Sequence, residues 1–328
     1  MYDFHIDSVL DFVRSKNART VAIQMPEGLK THALEVSDMI SGATGARCIV
    51  LGDPCYGACD VKVDFPRYAD VLIHFGHAEI PSLGTSGRTL YIEVGLPFPV
   101  EPLLQKALPL LGPRVGLITT IQHVGALGHV KEVLDGWGKQ CLIGHGDGRV
   151  KYPGQVLGCN ISAALAICRE VDCYLYIGSG NFHPISVAVE TSKPVIVLDP
   201  VMNDVRELTD MRDRVLRQRH AAIVRSKDAK RFGILVSPKV GQDRFALAMD
   251  ISDQLKGKGL KGDIIIIEEI TPDSLLPYPE DAFVSTACPR LAIDDQVRYK
   301  KPMLTPIDLE VVLGLRRWDD YRLDMIDG

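Results

Sequence analysis

Thr20-Val-Ala-Ile-Gln24, Arg114-Val-Gly-Leu-Ile118 and Phe232-Gly-Ile-Leu-Val236 are three short apolar runs of one design, each preceded by a helical stretch. Each ends in a polar or Pro-bearing loop: Met25-Pro-Glu-Gly-Leu29, Thr119-Thr-Ile-Gln-His123 and Ser237-Pro-Lys-Val-Gly241. Amphipathic stretches such as 31–40 and 243–255 follow at helical spacing. Further along, Val71-Leu-Ile-His-Phe75, Tyr174-Leu-Tyr-Ile177 and Ala282-Phe-Val-Ser285 are strand-like runs after an acidic residue. Runs at 88–92, 193–197 and 301–304 close each set, and 47–51, 141–143 and 263–267 supply its middle strand. A pattern recurring at a fixed period is the mark of a repeated structural unit.

Each unit reads helix–β–α–β–α–β–α–β. Apolar strands alternating with helices predict parallel sheets covered on both faces. The expected fold is therefore α/β, with three related modules, each a small parallel sheet of about four strands flanked by helices. The limits fall near residues 105 and 210, giving modules 1–105, 106–210 and 211–328, the second limit beside a charged helix expected at 203–220. Parallel α/β sheets bind ligands at the carboxyl ends of their strands, so three such modules are expected to face a common centre.

The 328 residues are 46% hydrophobic and 24% charged with a net charge of −5, values of a soluble globular protein and not of a nucleic-acid coat or membrane-surface protein. The opening MYDFHIDSVLDFVRSK reads as an amphipathic helix without the basic and apolar regions of a signal peptide. No apolar run reaches the roughly 18 residues of a membrane span. These features predict a cytoplasmic protein with neither nucleic acid nor membrane as partner. In that reducing compartment the eight cysteines are not expected to form disulfides.

Cys48, Cys141, Cys168 and Cys173 lie on predicted strands or a helix and read as core residues. Cys59, Cys159 and Cys288 differ. They stand in Gly52-Asp-Pro-Cys-Tyr-Gly-Ala-Cys-Asp60, Gln155-Val-Leu-Gly-Cys-Asn160 and Ser285-Thr-Ala-Cys-Pro-Arg290, loops after strand ends that lead into helices. A helix amino terminus favours the thiolate, the form that binds metal. Each module supplies one such cysteine. Three thiolates do not close a zinc site, but they suit a cubane [4Fe–4S] cluster with one open iron, which ordinarily takes four cysteines. Cys55 is open as a fourth, labile or protective ligand. The offset of Cys288, which follows a third strand where the other two precede one, is left for the fold to explain.

Gly178-Ser-Gly-Asn-Phe-His183 departs from a dinucleotide fingerprint at its third glycine, yet permits close backbone approach to a ligand. His77, His123 and His183 follow strands in corresponding loops and are candidates to line a pocket. Glu27 and Asp53 share that rim as amine binders or helix caps, and Arg290 either grips a carboxylate or pairs with Asp294.

Met25-Pro-Glu-Gly-Leu29, the Gly52–Asp60 loop, Phe75-Gly-His-Ala78, Tyr176-Ile-Gly-Ser-Gly-Asn-Phe-His183 and Ser285-Thr-Ala-Cys-Pro-Arg-Leu-Ala-Ile293 resemble the archaeal enzymes that catalyse the first step of diphthamide biosynthesis. The resemblance covers essentially the whole chain. It implies a homodimer with a [4Fe–4S] cluster on Cys59, Cys159 and Cys288, fed by an external electron donor. It also implies cleavage of S-adenosylmethionine and transfer of its 3-amino-3-carboxypropyl group to a histidine of translation elongation factor 2. Candidates to hold S-adenosylmethionine are Glu27, Gly28, Asp53, Gly76, His77, Gln122, Gly178, Ser179, Gly180, His183 and Arg290. Two other readings are a quinolinate-synthase-like enzyme using the open iron as a Lewis acid, and a non-catalytic cluster-bearing partner subunit.

Overall fold

The computed structural model describes residues 2–84 and 86–328; Met1, the first residue of the amino-terminal stretch read as a helix, lies outside them. Thirteen strands form three sheets among the described residues. The first comprises β1 (Thr20–Gln24), β2 (Arg47–Val50), β3 (Val71–Phe75) and β4 (Thr89–Ile92). The second comprises β5 (Arg114–Thr119), β6 (Gln140–Leu142), β7 (Cys173–Ile177), β8 (Val195–Asp199) and β9 (Asp204–Glu207). The third comprises β10 (Arg231–Val236), β11 (Lys261–Ile266), β12 (Ala282–Ser285) and β13 (Met303–Leu304). The spatial orders are β2-β1-β3-β4, β6-β5-β7-β8-β9 and β11-β10-β12-β13. Apart from β9 they are the same order three times, and every pairing except β8 with β9 is parallel.

The shared order rests on contacts the sequence repeats. The first strand of each sheet pairs a small residue with a large one on the third strand: Ala22 with Leu72, Gly116 with Tyr174, Gly233 with Phe283. A Cβ on Gly116 would meet the Tyr174 ring at 2.6 Å, and one on Gly233 the Phe283 ring at 2.6 Å. The glycines make room for aromatic rings that fill the sheet face. The acidic residue before each third strand also has one job. Asp70 accepts the backbone N–H of Arg19 and Thr20, Asp172 that of Arg114, and Asp281 those of Lys230 and Arg231. These carboxylates clasp the amino-terminal ends of paired strands, and the hydrogen bonds hold all three below the usual carboxylate range.

Each sheet carries its own buried core, and each is led by a helix packed against it. Val9 and Val13 of helix Ile6–Ser15 join the first core, Leu103 and Leu104 of Val100–Ala107 the second, and Ala222 of Thr209–Arg225 the third. The limits read near 105 and 210 thus fall inside two of these leading helices. The third is fastened by Arg219, fully buried, which pairs with buried Asp308 at 2.6 Å and donates to the carbonyls of Ala292 and Met303.

Three sequence expectations are corrected. Residues 204–207 form the antiparallel edge strand β9 instead of helix, Asn203 lies in the turn before it, and the helix starts only at Thr209. In the first module, 3₁₀ turns replace the helices expected after β2 and β3, because Pro54, Gly57, Pro66, Pro81 and Gly84 interrupt both stretches. Cys168 lies in a turn beyond the short helix Ser162–Ala166, and both it and Cys48 are only partly buried, whereas Cys141 and Cys173 are core residues.

Candidate functional site

The carboxyl ends of the three sheets converge on one cavity of about 380 Å³, the size of a small-molecule site. Cys59, Cys159 and Cys288 all line it, one from each module. The order of contribution is regular once the loops are compared. In each module the loops after the second and third strands reach the cavity. The first sends Cys59 and His77, the second Cys159 and His183, and the third Glu269 and Cys288. The third module therefore carries its cysteine on the other of two equivalent loops, which accounts for the offset of Cys288.

The Cys59 and Cys159 loops are held from the third module, and the Cys288 loop from within it. The carbonyl of Cys59 accepts the N–H of Gly241 at 2.9 Å. A Cβ on Gly241 would lie 2.5 Å from the Cys59 Cα, so only glycine allows this approach. Gln242 Nε2 donates to Cys59 Sγ at 3.4 Å. Lys239 ties the same loop down through Asp60 at 3.0 Å and also pairs with Glu269. Residues 323–326 brace the other two loops. Ile326 N–H donates to the Cys159 carbonyl at 2.8 Å, and Asp324 holds Arg244, which donates to the carbonyls of Thr286 and Ala287 just before Cys288.

The helices behind these cysteines are short. Cys59 lies within the 3₁₀ turn Ala58–Asp60, and the elements after Cys159 and Cys288 span Ser162–Ala166 and Arg290–Ile293. The predicted helix-terminus effect is accordingly overridden. Burial pushes the Cys59 thiol up to about 11, with the approach of Cys159 adding to it. Cys288 is raised by burial and by both other cysteines, and Cys159 is raised by burial against the pull of Arg149. Three partly buried thiols, two of them raised by the approach of another, form an arrangement that a metal centre would relieve, taking up the thiolates and releasing protons.

Arg149 was not singled out in the sequence, since nothing in its loop marks it. It is 3% exposed and donates to the carbonyl of Gly241, its charge lowers the Cys159 thiol, and its Nε finds no partner. A buried cation beside three thiols is a counter-charge for an anionic group bound by them. His183 is partly buried, with its buried Nδ1 unpartnered, and desolvation lowers both His77 and His183 to about 4. Both rings are neutral at ordinary pH.

Among the residues read as contacts for a bound ligand, His77, Gln122, His183 and Arg290 line the cavity with the three cysteines. Gln122 also donates to the carbonyl of Gly76 at 3.2 Å, and Arg290 lies over the Phe182 ring and 3.6 Å from Asp294. The others do not line it. Glu27 pairs with Lys30, which donates to the carbonyls of Gly52 and Asp53, so Glu27, Gly28 and Asp53 form an outer rim. Gly76 adopts φ of 84° against Pro26, Gly178 sits against the Tyr176 ring, Ser179 bonds Asp199 at 2.6 Å and Gly180 shapes the turn between them. His123 is buried on the carbonyl of Leu96 and the Phe98 ring, outside the cavity. Cys55 is buried and does not line the cavity either.

The comparisons with known proteins agree with this geometry. The crystal structure of Dph2 from Pyrococcus horikoshii with a 4Fe–4S cluster superposes with a TM-score of 0.92 at 34% identity, covering 100% of this chain and 95% of that one. The 2-(3-amino-3-carboxypropyl)histidine synthase of P. horikoshii is 34% identical over 100% of this chain and 95% of its own length. Subunit 1 of the synthase of that name from Gallus gallus is 32% identical over 98% of this chain and 80% of its own length. With the family model matched over residues 25–322, the chain belongs to the diphthamide synthesis protein family.

Proposed function

We infer that this chain is a 2-(3-amino-3-carboxypropyl)histidine synthase. It transfers the 3-amino-3-carboxypropyl group of S-adenosylmethionine to the imidazole C2 of a histidine in elongation factor 2, the first step of diphthamide biosynthesis. The observation that carries this reading is the convergence of Cys59, Cys159 and Cys288, one from each module, in a single buried cavity. The donor set fits a [4Fe–4S] cluster: three sulfur ligands, an unpartnered guanidinium nitrogen beside them, and no fourth cysteine among the cavity's lining residues. When bound on these cysteines, the cluster supplies the electron that splits a carbon–sulfur bond of the sulfonium.

The chain's own residues set the conditions for that chemistry. Arg149 and the Gln242 amide offset negative charge on the sulfurs. His183 stays neutral, so it adds no positive charge against the cationic sulfonium. Arg290, beside Cys288 on the cavity wall, is placed to hold the carboxylate of the methionine moiety by paired N–H donors. Lys239, also on the cavity wall, is paired with Asp60 and Glu269. We further propose a cytoplasmic homodimer served by an external electron donor, with module limits moved to 93–99 and to residue 208, between β9 and the leading helix of the third module. The packing of the leading helices supports those limits, and no helix among the described residues is long and apolar enough to cross a membrane.

Anaerobic incubation of the purified chain with S-adenosylmethionine, dithionite and elongation factor 2 tests the reading. Methylthioadenosine should be released and the aminocarboxypropyl group should appear on one histidine of the factor. No methylthioadenosine would sink the proposal in favour of Lewis-acid chemistry. Activity that appears only with a second, different subunit would favour a partner-subunit role.

A further inference from the structure

Behind the wall of the cavity, the loop after β2 and the end of β3 bring together ligands that the three-cysteine centre does not use. The Cys55 sulfur, one ring nitrogen of His74 and one of His77 all lie within 4.8 Å of one another. Cys55 is 2% exposed and His74 is fully buried. Without a metal these groups bond their surroundings and one another: Cys55 Sγ donates to the Gly57 carbonyl at 3.8 Å, and His74 lies between Gln24 and His77.

The hydrogen bonds around His74 show which of its nitrogens is available. Gln24 accepts the N–H of Lys62 on Oε1 at 3.1 Å and donates from Nε2 to the Asp60 carbonyl at 2.9 Å. Those two backbone partners fix the amide, so Oε1 is an acceptor. It lies 2.9 Å from His74 Nδ1, which must therefore carry the ring proton. The lone pair of His74 is on Nε2, aimed at His77 Nδ1 3.0 Å away. An imidazole fixed through its other nitrogen by a buried amide is the arrangement of a metal-ligating histidine and its outer partner.

We propose that Cys55, His74 and His77 form a second metal site, for a single tetrahedral divalent cation of borderline softness such as zinc(II). One thiolate and two imidazoles suit that ion. At zinc–nitrogen distances of about 2.0–2.1 Å, tetrahedral geometry asks the two nitrogens to stand roughly 3.3 Å apart. The 3.0 Å separation needs to open by only a few tenths of an ångström. On binding, Cys55 gives up its thiol proton, while the His77 proton moves to Nε2 and leaves Nδ1 to coordinate. The ion joins the loop that carries Cys59, four residues beyond Cys55, to the carboxyl end of β3. This proposal does not depend on the activity inferred above. It also separates Cys55 from the cluster, for which it was open as a fourth ligand.

The test removes the competing thiols first. The full chain carrying Cys59→Ala, Cys159→Ala and Cys288→Ala together is titrated with cobalt(II), with circular dichroism confirming its fold. One cobalt should bind per chain with a sulfur-to-metal charge-transfer band and strong tetrahedral d–d bands. Zinc should displace it, and adding Cys55→Ser or His77→Gln should abolish the signal. A missing tetrahedral spectrum, or one indifferent to both substitutions, overturns the proposal. Should the triple variant not fold, elemental analysis of the cluster-loaded native chain decides instead. One zinc per chain that disappears with Cys55→Ser supports the site, and its absence from the native chain refutes it.

Discussion

At the amino-terminal ends of the three sheets, Asp70, Asp172 and Asp281 make the same contacts to the start of the neighbouring strand. At the carboxyl ends, the modules present Cys59 with His77, Cys159 with His183, and Glu269 with Cys288. One end of the repeat has kept a common structural task, and the other has diverged around a shared centre. Division of labour between the two ends of parallel strands is general in α/β proteins, where ligands gather at the carboxyl ends. Here it operates three times, and the three outcomes must fit one another.

The largest effects should come from breaking the carboxyl ends. Cys59→Ala, Cys159→Ala or Cys288→Ala should each abolish bound iron–sulfur absorption and methylthioadenosine release, while the circular dichroism spectrum stays native. Cys168→Ala, partly buried and remote from the cavity, should leave both unchanged. Next comes Arg149→Met. Removing a buried cation that favours the Cys159 thiolate should weaken cluster retention by about 10–100-fold, read as faster iron loss to a chelator.

Two glycines of the third module sharpen the contrast within ten residues. Gly241→Ala places a methyl 2.5 Å from the Cys59 backbone, and Gly233→Ala places one 2.6 Å from the Phe283 ring. The first should displace a ligand loop and lower iron content with little change in melting temperature. The second should cost about 1–3 kcal/mol of stability through overpacking, with normal iron in the folded fraction. Equal losses of iron in both variants would show that scaffold and site are not separable.

Legibility in the sequence follows the same division. The amino-terminal ends and strand interiors could be read because their constraints are local and recur: an acid before the third strand, and a small residue facing a large one. The strand order is the product of those constraints, and β9 escaped because it occurs in only one module. The three cysteines were legible by their type and their loops. Arg149, Gly241 and Gln242 were not, because their value arises only when loops from different modules meet across the cavity. Gly178, Ser179 and Gly180 were legible only as a strand-end turn, because glycines there suit both a tight turn and a close-lying ligand. The Ser179–Asp199 hydrogen bond holds that turn.

The smallest effect concerns the clasps themselves, and acid should reveal it. The carboxylates of Asp70, Asp172 and Asp281 are lowered in the folded chain, chiefly by hydrogen bonds from backbone N–H groups and, at Asp172, from the Arg114 side chain. An unfolded aspartate titrates near about 3.9. Because the folded values lie below that, the clasps contribute their full stability above it and lose it as pH falls through the folded values. Asp281→Asn removes that proton linkage and one charge-assisted acceptor. The clasp is solvent-accessible, so the cost should be only about 1 kcal/mol near neutral pH. The decisive reading is the slope of melting temperature against pH from about 4 downward. It should be shallower for Asp281→Asn than for the native chain, with iron content at neutral pH unchanged. An unaltered acid slope would mean that the clasp does not contribute as its geometry implies. A loss of iron would instead mean that the two ends of the third sheet are coupled through β10 and β12, and that the repeat does not keep scaffold and site apart.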